Sequence, residues 1–588
     1  MVLFVRYASL TQEIYSKIFV TNFVVQIVAT ISFFLDFIIP GTFLGEDALS
    51  AITLTMPLVM LMQAFTDMIA MGGSNVFSIE VGAGNLQQAW RYFTATMAGA
   101  VLAGSIIMLL GQLFLDPLVW LLGADAALFD MTRQAARISL LFFVVMPAYM
   151  ALDFFVRNDG QIKLAMVSNI LFIILNVVLD IYFVGYTSLG IAGAPLASLT
   201  SAFTGMMILL LALFRKNTTL RFTRQVQMAD FFYVVHAGSG LTFKQIYQGI
   251  TTVVFNNLIM RYFGGNGVVV FTVIVNVQAL LVGIFSSIRE TIQPIVGTYV
   301  GEKYVQGIRE TMRLAACTGA VFCLGCWLFF EFMPMEYLHI FGIYDVTLLQ
   351  MTKEGIVIYA WVFPVLCFTE VMSSYYQFIG YPGMTFQLLT VKGLLLLLPV
   401  GMLGIWLGGL DGLWYGFVLT EVLATFWCLG LSRWKAAHSL EPVSGFLLLD
   451  AAENTARLCL GLPAEVQPLL DSRLKLDEFL EKQGVAEKQR SAVRLAVEEL
   501  GMNVVQHNPE QHNRRMELQL NVQPHEVTLL LRDNGRGFDP VEERPKAGSQ
   551  YIGLRLVHGV ADTLTYVPTI GYNRVLLTFY RDTIENHV

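Results

Sequence analysis

The first 435 residues consist largely of apolar stretches of about twenty residues or more, separated by short polar segments. Such a stretch, once helical, is long enough to cross the hydrocarbon core of a bilayer, and few folds other than a bundle of membrane helices can bury so many of them. Hydrophobic residues make up 55% of the chain and charged residues 14%, which excludes a protein that is soluble throughout. We therefore predict an all-α polytopic membrane protein over this part.

The spacing predicts twelve transmembrane helices, six between about residues 16 and 214 and six between about residues 240 and 432. The two sets resemble each other at a shift of about 219 residues, because VGAGNLQ, starting at Val81, aligns with VGEKYVQ, starting at Val300. Since each set holds an even number of helices, an axis along the membrane normal would relate the two lobes. A substrate cavity is expected between them.

The composition changes near Ala436. From there onward the chain has 16 Lys and Arg and 21 Asp and Glu, against 21 and 23 in the first 435 residues. Alternating runs and amphipathic stretches in this last part predict a soluble α+β domain. We thus divide the chain into an N-terminal lobe (1–215), a C-terminal lobe (216–435) and a cytoplasmic domain (436–588).

The cations of the membrane part lie mainly on the side of the predicted topology that carries both chain termini. Short loops rich in Lys and Arg stay in the cytoplasm, so we expect both termini there. The expected location is the bacterial inner membrane, in contact with membrane lipids, and no nucleic-acid partner is expected.

Polar side chains lie at membrane depth in the first lobe. Asp36 is the one charged residue of its apolar stretch, and a carboxylate there costs several kcal/mol unless it faces a cavity, a partner or an ion. Asn176 and Asp180 are one helical turn apart, and Ser198 follows on the next helix. Together these groups would hold Na⁺ or share protons. The alternative is that each only hydrogen-bonds a neighbouring helix.

The second lobe carries charged residues within or near its helices. Lys392 on the predicted eleventh helix is within reach of Glu370 on the tenth, and we take both as candidates for lining the substrate cavity. Lys244 and Glu421 lie near predicted helix ends, where the alternative is that they extend to the membrane surface.

Six stretches in order resemble the multidrug and toxic compound extrusion (MATE) family. They are LDFIIPGTFLGEDALSA, MGGSNVFSIEVGAGN, VRNDGQIKLAM, NVVLD, GIAGAPLAS and QPIVGTYVG. The resemblance implies a two-lobed antiporter that exports organic, often cationic, compounds in exchange for H⁺ or Na⁺. By position, Asp36, Asn176, Asp180 and Ser198 match the family's cation-binding residues, with Ser where a Thr is often found.

The last part of the chain has three motifs in order: VEELGMNVVQH, RDNGRGFDP and YIGLRLVHGVAD. Glu499 and Asn503 fall one turn apart on a helix predicted over residues 487–506. This spacing suits a carboxylate that activates a nucleophile beside an amide oxygen that holds Mg²⁺. Gly535, Gly537 and Gly553 allow close backbone approach, and a helix beginning near Gly553 presents free N–H groups to phosphate.

These motifs resemble the GHKL ATP-binding fold, and most closely its anti-sigma-factor serine kinases. The resemblance implies that Asp533 reads the adenine amino group, Asn503 holds Mg²⁺ and Glu499 is the general base. Gly535, Gly537 and Gly553 would shape the nucleotide pocket. No phosphate-binding loop of the G-x-x-x-x-G-K-[ST] type occurs, so an ATP-driven pump of that class is not expected.

The leading hypothesis is a cation-coupled exporter of small organic compounds with a cytoplasmic domain that binds ATP. That domain would report nucleotide state to the transporter or phosphorylate a Ser or Thr on a partner protein of the anti-anti-sigma type. A second hypothesis makes the membrane part a sensor and the kinase its output. A third keeps transport but makes the cargo a lipid-linked precursor, as for a flippase.

Overall fold

The computed structural model is a bundle of membrane helices followed by an α+β domain, which confirms the predicted fold class. It describes residues 9–215, 218–335, 338, 346–439, 443–450, 456–506, 514–535, 539–540 and 552–581.

Helices α1 to α8 form the first lobe. They are Leu10–Leu44, Glu46–Ala83, Leu86–Leu113, Leu115–Leu121, Phe129–Ser139, Phe142–Asn158, Ile162–Tyr186 and Gly193–Leu210. Helices α9 to α14 form the second. They are Met228–Gly301, Val305–Phe332, Val346–Ala360, Val362–Phe378, Pro382–Thr390 and Leu397–Ala437, with a π-helical segment, Val391–Leu396, before α14.

Nine helices of the described residues are long and apolar enough to cross a membrane, or ten if the bent pair α11 and α12 counts as one span. Two of these spans hold 49 and 56 residues, and each is part of a run that a glycine interrupts. Gly264 in α9 and Gly409 in α14 have φ angles of 67° and 63°, which an L-residue rarely adopts. The chain is therefore a multi-pass membrane protein, and the number of twelve spans stays a prediction.

The two lobes meet where α2 crosses the C-terminal half of α9. The Ser74 hydroxyl donates to the Gln293 side-chain oxygen at 3.1 Å, and the two residues are 219 positions apart. Gly82 and Gly301, also related by this shift, lie at the crossing, where a Cβ on either would overlap with backbone of the other helix. The internal repeat thus brings equivalent positions together at the lobe interface.

The α+β domain contains a five-stranded antiparallel sheet in the order β3-β4-β5-β7-β6. A short hairpin of β1 (Val443–Ser444) and β2 (Leu449–Asp450) precedes it. The five strands are Ala456–Pro463, Arg515–Val522, Glu526–Asp533, Thr563–Tyr566 and Asn573–Tyr580, numbered β3 to β7. Helices α15, α16 and α17, at Val466–Lys482, Glu487–Gln506 and Ile552–Val560, pack on one face of the sheet around a single apolar core.

We predict that Gly82→Ala lowers the thermal stability of the purified protein by about 1–3 kcal/mol, because the methyl group would overlap with the Thr298 carbonyl oxygen. Gly249→Ala is the matched control, since a Cβ there meets nothing within 4 Å and alanine favours a helix. Thermal unfolding in detergent measures both. Equal midpoints for the two variants would contradict close packing at the crossing.

Candidate functional site

The polar side chains of the first lobe form a hydrogen-bonded chain across α1, α7 and α8. Ser32 donates to the Asn176 side-chain oxygen at 3.1 Å, and the Asn176 amide donates to the Ser198 hydroxyl at 2.8 Å. Two of the predicted residues, Asn176 and Ser198, are therefore in direct contact. Ser32 was missed from the sequence, although it lies one turn before Asp36 on the same helix, which is the spacing that would have indicated it.

Asp180 lies one turn beyond Asn176 on α7 and is 1% exposed. Neither carboxylate oxygen has a hydrogen-bond partner within the part of the chain that the structure describes. Asp36, on the adjacent helix α1, is half-buried and close enough for its charge to act on Asp180. Two neighbouring carboxylates without a cationic partner are suited to hold a cation or a proton.

In the second lobe, four charged residues from different helices form one ion-pair cluster. Lys392, in the π-helical segment, contacts Glu370 at 3.2 Å and Glu421 at 2.9 Å, and Lys244 pairs with Glu370. The Thr369 hydroxyl contacts Glu421 at 3.0 Å. The predicted pairing of Lys392 with Glu370 thus occurs, and Lys244 and Glu421 join it instead of extending to the membrane surface.

This cluster lines a cavity between α9, α12 and α14. Both cavity candidates, Glu370 and Lys392, contribute to its wall, together with Tyr247, Phe255 and Thr420. The π-helical turn at Lys392 widens the helix locally and points this lysine at the two glutamates, an irregularity common at functional sites. The wall therefore combines aromatic surface with paired charges.

In the α+β domain, Glu499 and Asn503 lie one turn apart on α16, whose bounds match the predicted helix. The Asn503 side-chain nitrogen is buried and has no hydrogen-bond partner among the described residues. Gly553, at the start of α17, lies so close to the Glu499 carboxylate that a Cβ there would overlap with it. An unsatisfied amide donor beside a carboxylate is consistent with a polar ligand site, and the role of the Asn503 side-chain oxygen in holding Mg²⁺ stays a prediction.

Asp533 ends β5 and is 3% exposed. It accepts hydrogen bonds from the Asn573 side chain at 2.8 Å and from the backbone N–H of Gly535 at 2.7 Å. Burial raises the pKa of Asp533 above its usual value. The two hydrogen bonds oppose this rise but do not cancel it. Asn573 was missed because nothing in the sequence says which strand pairs with β5. Gly537 lies outside the described residues.

Comparisons with known proteins match two parts of the chain. Residues 22–182 match the MatE family model, and residues 462–579 match that of the histidine kinase-like ATPase domain. The chain joins a MATE domain to a histidine kinase-like ATPase domain. The ATPase domain indicates nucleotide binding.

The MATE domain has curated relatives and solved neighbours. It is 26% identical to the "Probable multidrug resistance protein YoeA" of Bacillus subtilis over 32% of this chain and 41% of that relative. It is 20% identical to the "FAD transporter" of Shewanella oneidensis over 66% of this chain and 87% of that relative. A crystal structure of a MATE protein in the bent conformation superimposes with a TM-score of 0.67, at 19% identity, over 73% of this chain and 96% of that chain. The chain thus spans less than half the length of the first relative.

We predict that Gly553→Ala weakens ATP binding by about tenfold or more, because the added methyl group would displace the Glu499 carboxylate from the pocket. Gly559→Ala, in the same helix, has open space around the added Cβ and serves as the control. Titration of the full-length protein with a fluorescent ATP analogue measures both. Unchanged affinity in Gly553→Ala would argue against a nucleotide site at this position.

Proposed function

We propose that the protein is a cation-coupled antiporter that exports small organic compounds and carries an ATP-binding regulatory domain. The observation that carries this proposal is Asp180, whose buried carboxylate has no hydrogen-bond partner among the described residues and lies near Asp36. A transporter that exchanges cargo for Na⁺ or H⁺ needs such a group, because binding of the ion must favour one arrangement of the lobes over another.

Each group of the first-lobe site has a part in this mechanism. Asp36 and Asp180 would take up Na⁺ or a proton, and Ser32, Asn176 and Ser198 would fix the side chains around them. Loading would reduce the repulsion between the two carboxylates and let α1 move against α7. The lobes would then rock about their common interface.

The cavity of the second lobe is the place we propose for cargo. Its paired charges offer both signs to a polar organic molecule, while Tyr247 and Phe255 offer aromatic surface. The relatives named above are a probable multidrug resistance protein and an FAD transporter, so the chemistry of the cargo stays open between these classes.

We also propose a topology and a domain organisation. The ATPase domain follows α14 and needs ATP, which is present in the cytoplasm, so both termini would lie there, with the protein in the inner membrane. The three units would be residues 1–215, 216–435 and 436–588. In the ATPase domain, Asn503 would hold Mg²⁺ on the nucleotide phosphates.

Asp36→Asn should abolish ion-driven efflux, since an amide cannot take up a proton and binds Na⁺ weakly, while the fold is kept. Efflux of a fluorescent organic cation from vesicles, driven by an imposed H⁺ or Na⁺ gradient, measures this. Asp47→Asn, at an exposed position near the start of α2, is the control and should transport like the original protein. Normal gradient-driven efflux in Asp36→Asn would refute the mechanism.

A serine kinase output is the second candidate, favoured by the close placement of Gly553 against Glu499 in a pocket that also holds Asn503. If the domain phosphorylates a partner, Glu499→Ala should reduce phosphate transfer by about a hundredfold or more while efflux persists. The full-length protein is incubated with γ-labelled ATP and candidate partner proteins. Transfer that is equal with and without Glu499 would exclude this residue as the general base.

A further inference from the structure

The ATPase domain contacts the MATE domain through the face of its sheet that points away from α15, α16 and α17. Side chains alternate along β4, β5 and β7, so the apolar face packs on the helices, and the opposite face is polar apart from one leucine in each of β5 and β7. Glu517, Gln519, Arg532 and Arg574 lie on this second face and are 7%, 1%, 5% and 4% exposed. The MATE domain covers them, and the sheet is buried on both sides.

One carboxylate at the end of α9 lies at the centre of this contact. The Glu302 side chain is 1% exposed and pairs with the guanidinium groups of Arg532 and Arg574, the latter at 3.0 Å. Arg532 also lies over the ring of Tyr304 at 4.1 Å and contacts Glu517 at 3.4 Å. Two cations and two anions are thus balanced at a site away from water.

Arg574 also reaches the first lobe. Its guanidinium donates hydrogen bonds to the carbonyl oxygens of Val81, at 2.7 Å, and of Gly82, in the last turn of α2. These carbonyls carry the negative end of the helix dipole, and although that of Val81 also accepts from the N–H of Gly84 at 3.1 Å, a cation there is favourable. One side chain therefore joins the end of α2 in the first lobe to Glu302 in the second.

Further contacts surround this junction. The Glu517 carboxylate accepts from the backbone N–H of Leu10, at the start of α1, at 3.1 Å. The N–H of Ile570 donates to the carbonyl oxygen of Asn158, at the end of α6, at 3.1 Å. Deeper between the lobes, Arg157 of α6 pairs with Glu290 of α9 at 2.8 Å. The ATPase domain is thus the outermost of several layers that hold this end of the lobes together.

The residues that follow Arg532 and precede Arg574 in their strands lie on the face of the sheet that carries the predicted nucleotide pocket. Arg532 is paired with Arg574 across β5 and β7, and the next pair along the ladder is Asp533 with Asn573. Successive residues of a strand point to opposite faces, so the arginines face the MATE domain while Asp533 faces the predicted nucleotide pocket. A shift of either strand therefore moves both sites.

We propose that the ATPase domain is a lock across the two lobes, fastened by Arg574 and Glu302, and that nucleotide on the opposite face of β5 and β7 sets how firmly it holds. This rests on the proposed transport function, because cargo from this side can enter only when α2 and α9 separate. Arg574 cannot hold the carbonyls of α2 and the carboxylate of Glu302 once those ends move apart. Release of the lock is then a step of every transport cycle.

A distance measurement between the lobes tests the lock. Gln87 and Gln306 are exposed, are related by the internal repeat and lie at the starts of α3 and α10. Spin labels at Gln87→Cys and Gln306→Cys, in the full chain with its six native cysteines replaced, report the separation of the lobes at this end. Arg574→Gln and Glu302→Gln should each raise the population of the long distance by about tenfold or more. Arg473→Gln, on the surface of the same domain, should not.

Nucleotide is then added to the labelled protein. ATP with Mg²⁺ should change the population of the long distance by about tenfold. This corresponds to a coupling free energy of about 1.4 kcal/mol between nucleotide binding and separation of the lobes. Asp533→Asn should abolish the change. If Arg574→Gln and Glu302→Gln both keep the original distances, or if saturating nucleotide leaves them unchanged, the lock is wrong. If one variant fails to fold, the distances measured in the other variant still test the proposal.

The lock and the transport proposal can fail separately. Unchanged distances in both Arg574→Gln and Glu302→Gln, together with loss of efflux in Asp36→Asn, would reject the lock and keep the exporter. Changed distances together with normal gradient-driven efflux in Asp36→Asn would reject the ion-coupled exporter and keep the lock.

Discussion

A charge that leaves water must find an opposite charge, an ion or a proton, and this constraint determines which parts of the protein are rigid and which can change state. In the second lobe, Lys392 meets two glutamates, and at the domain contact Glu302 meets two arginines. Such places are electrically balanced as they stand, so a change of state there requires that ion pairs separate. Asp180 has no hydrogen-bond partner among the described residues, and we propose that an ion or proton taken up there changes the balance of charge.

The carboxylates of the first lobe and the contact between the domains are connected by the helices that carry them. The first-lobe carboxylates lie on α1 and α7, while the start of α1 touches the ATPase domain through the hydrogen bond from Leu10 to Glu517. A displacement of α1 that follows ion binding would be transmitted to the sheet. The proposed ion site and the proposed nucleotide site would therefore be linked through helix α1 and the strands β4 and β5.

The sequence was most informative where one local rule decides the structure. The helix over residues 487–506 follows from periodicity. The hydrogen bond between Asn176 and Ser198 agrees with the alternative given for these residues, in which each bonds to a neighbouring helix, and a shared ion site stays a prediction. The face of the sheet that carries Arg532 and Arg574 could not be predicted in this way. Its alternation of polar and apolar residues is that of a strand with one face in water, and only the tertiary structure shows that a second domain covers it.

The same limit explains the cluster in the second lobe. Lys244 and Glu370 are 126 residues apart, and neither periodicity nor hydropathy indicates that a long-range partner exists. A lysine near a predicted helix end has two physical solutions, to extend to the membrane surface or to pair inside, and the choice depends on packing. The π-helical segment that presents Lys392 is likewise a product of packing.

The polar character of the buried sheet face has a consequence for how the two domains part. A wholly apolar contact would expose a hydrophobic surface to the cytosol each time it opened, and such a surface favours aggregation. Here the surfaces that separate carry Glu302, Arg532 and Arg574, which water solvates well. They also carry apolar side chains, Ile570 and Tyr572 among them, so hydration of the charges would offset only part of the cost of opening. Salt in the cytosol would screen the charges only after they become exposed, so ionic strength would act mainly on the open state.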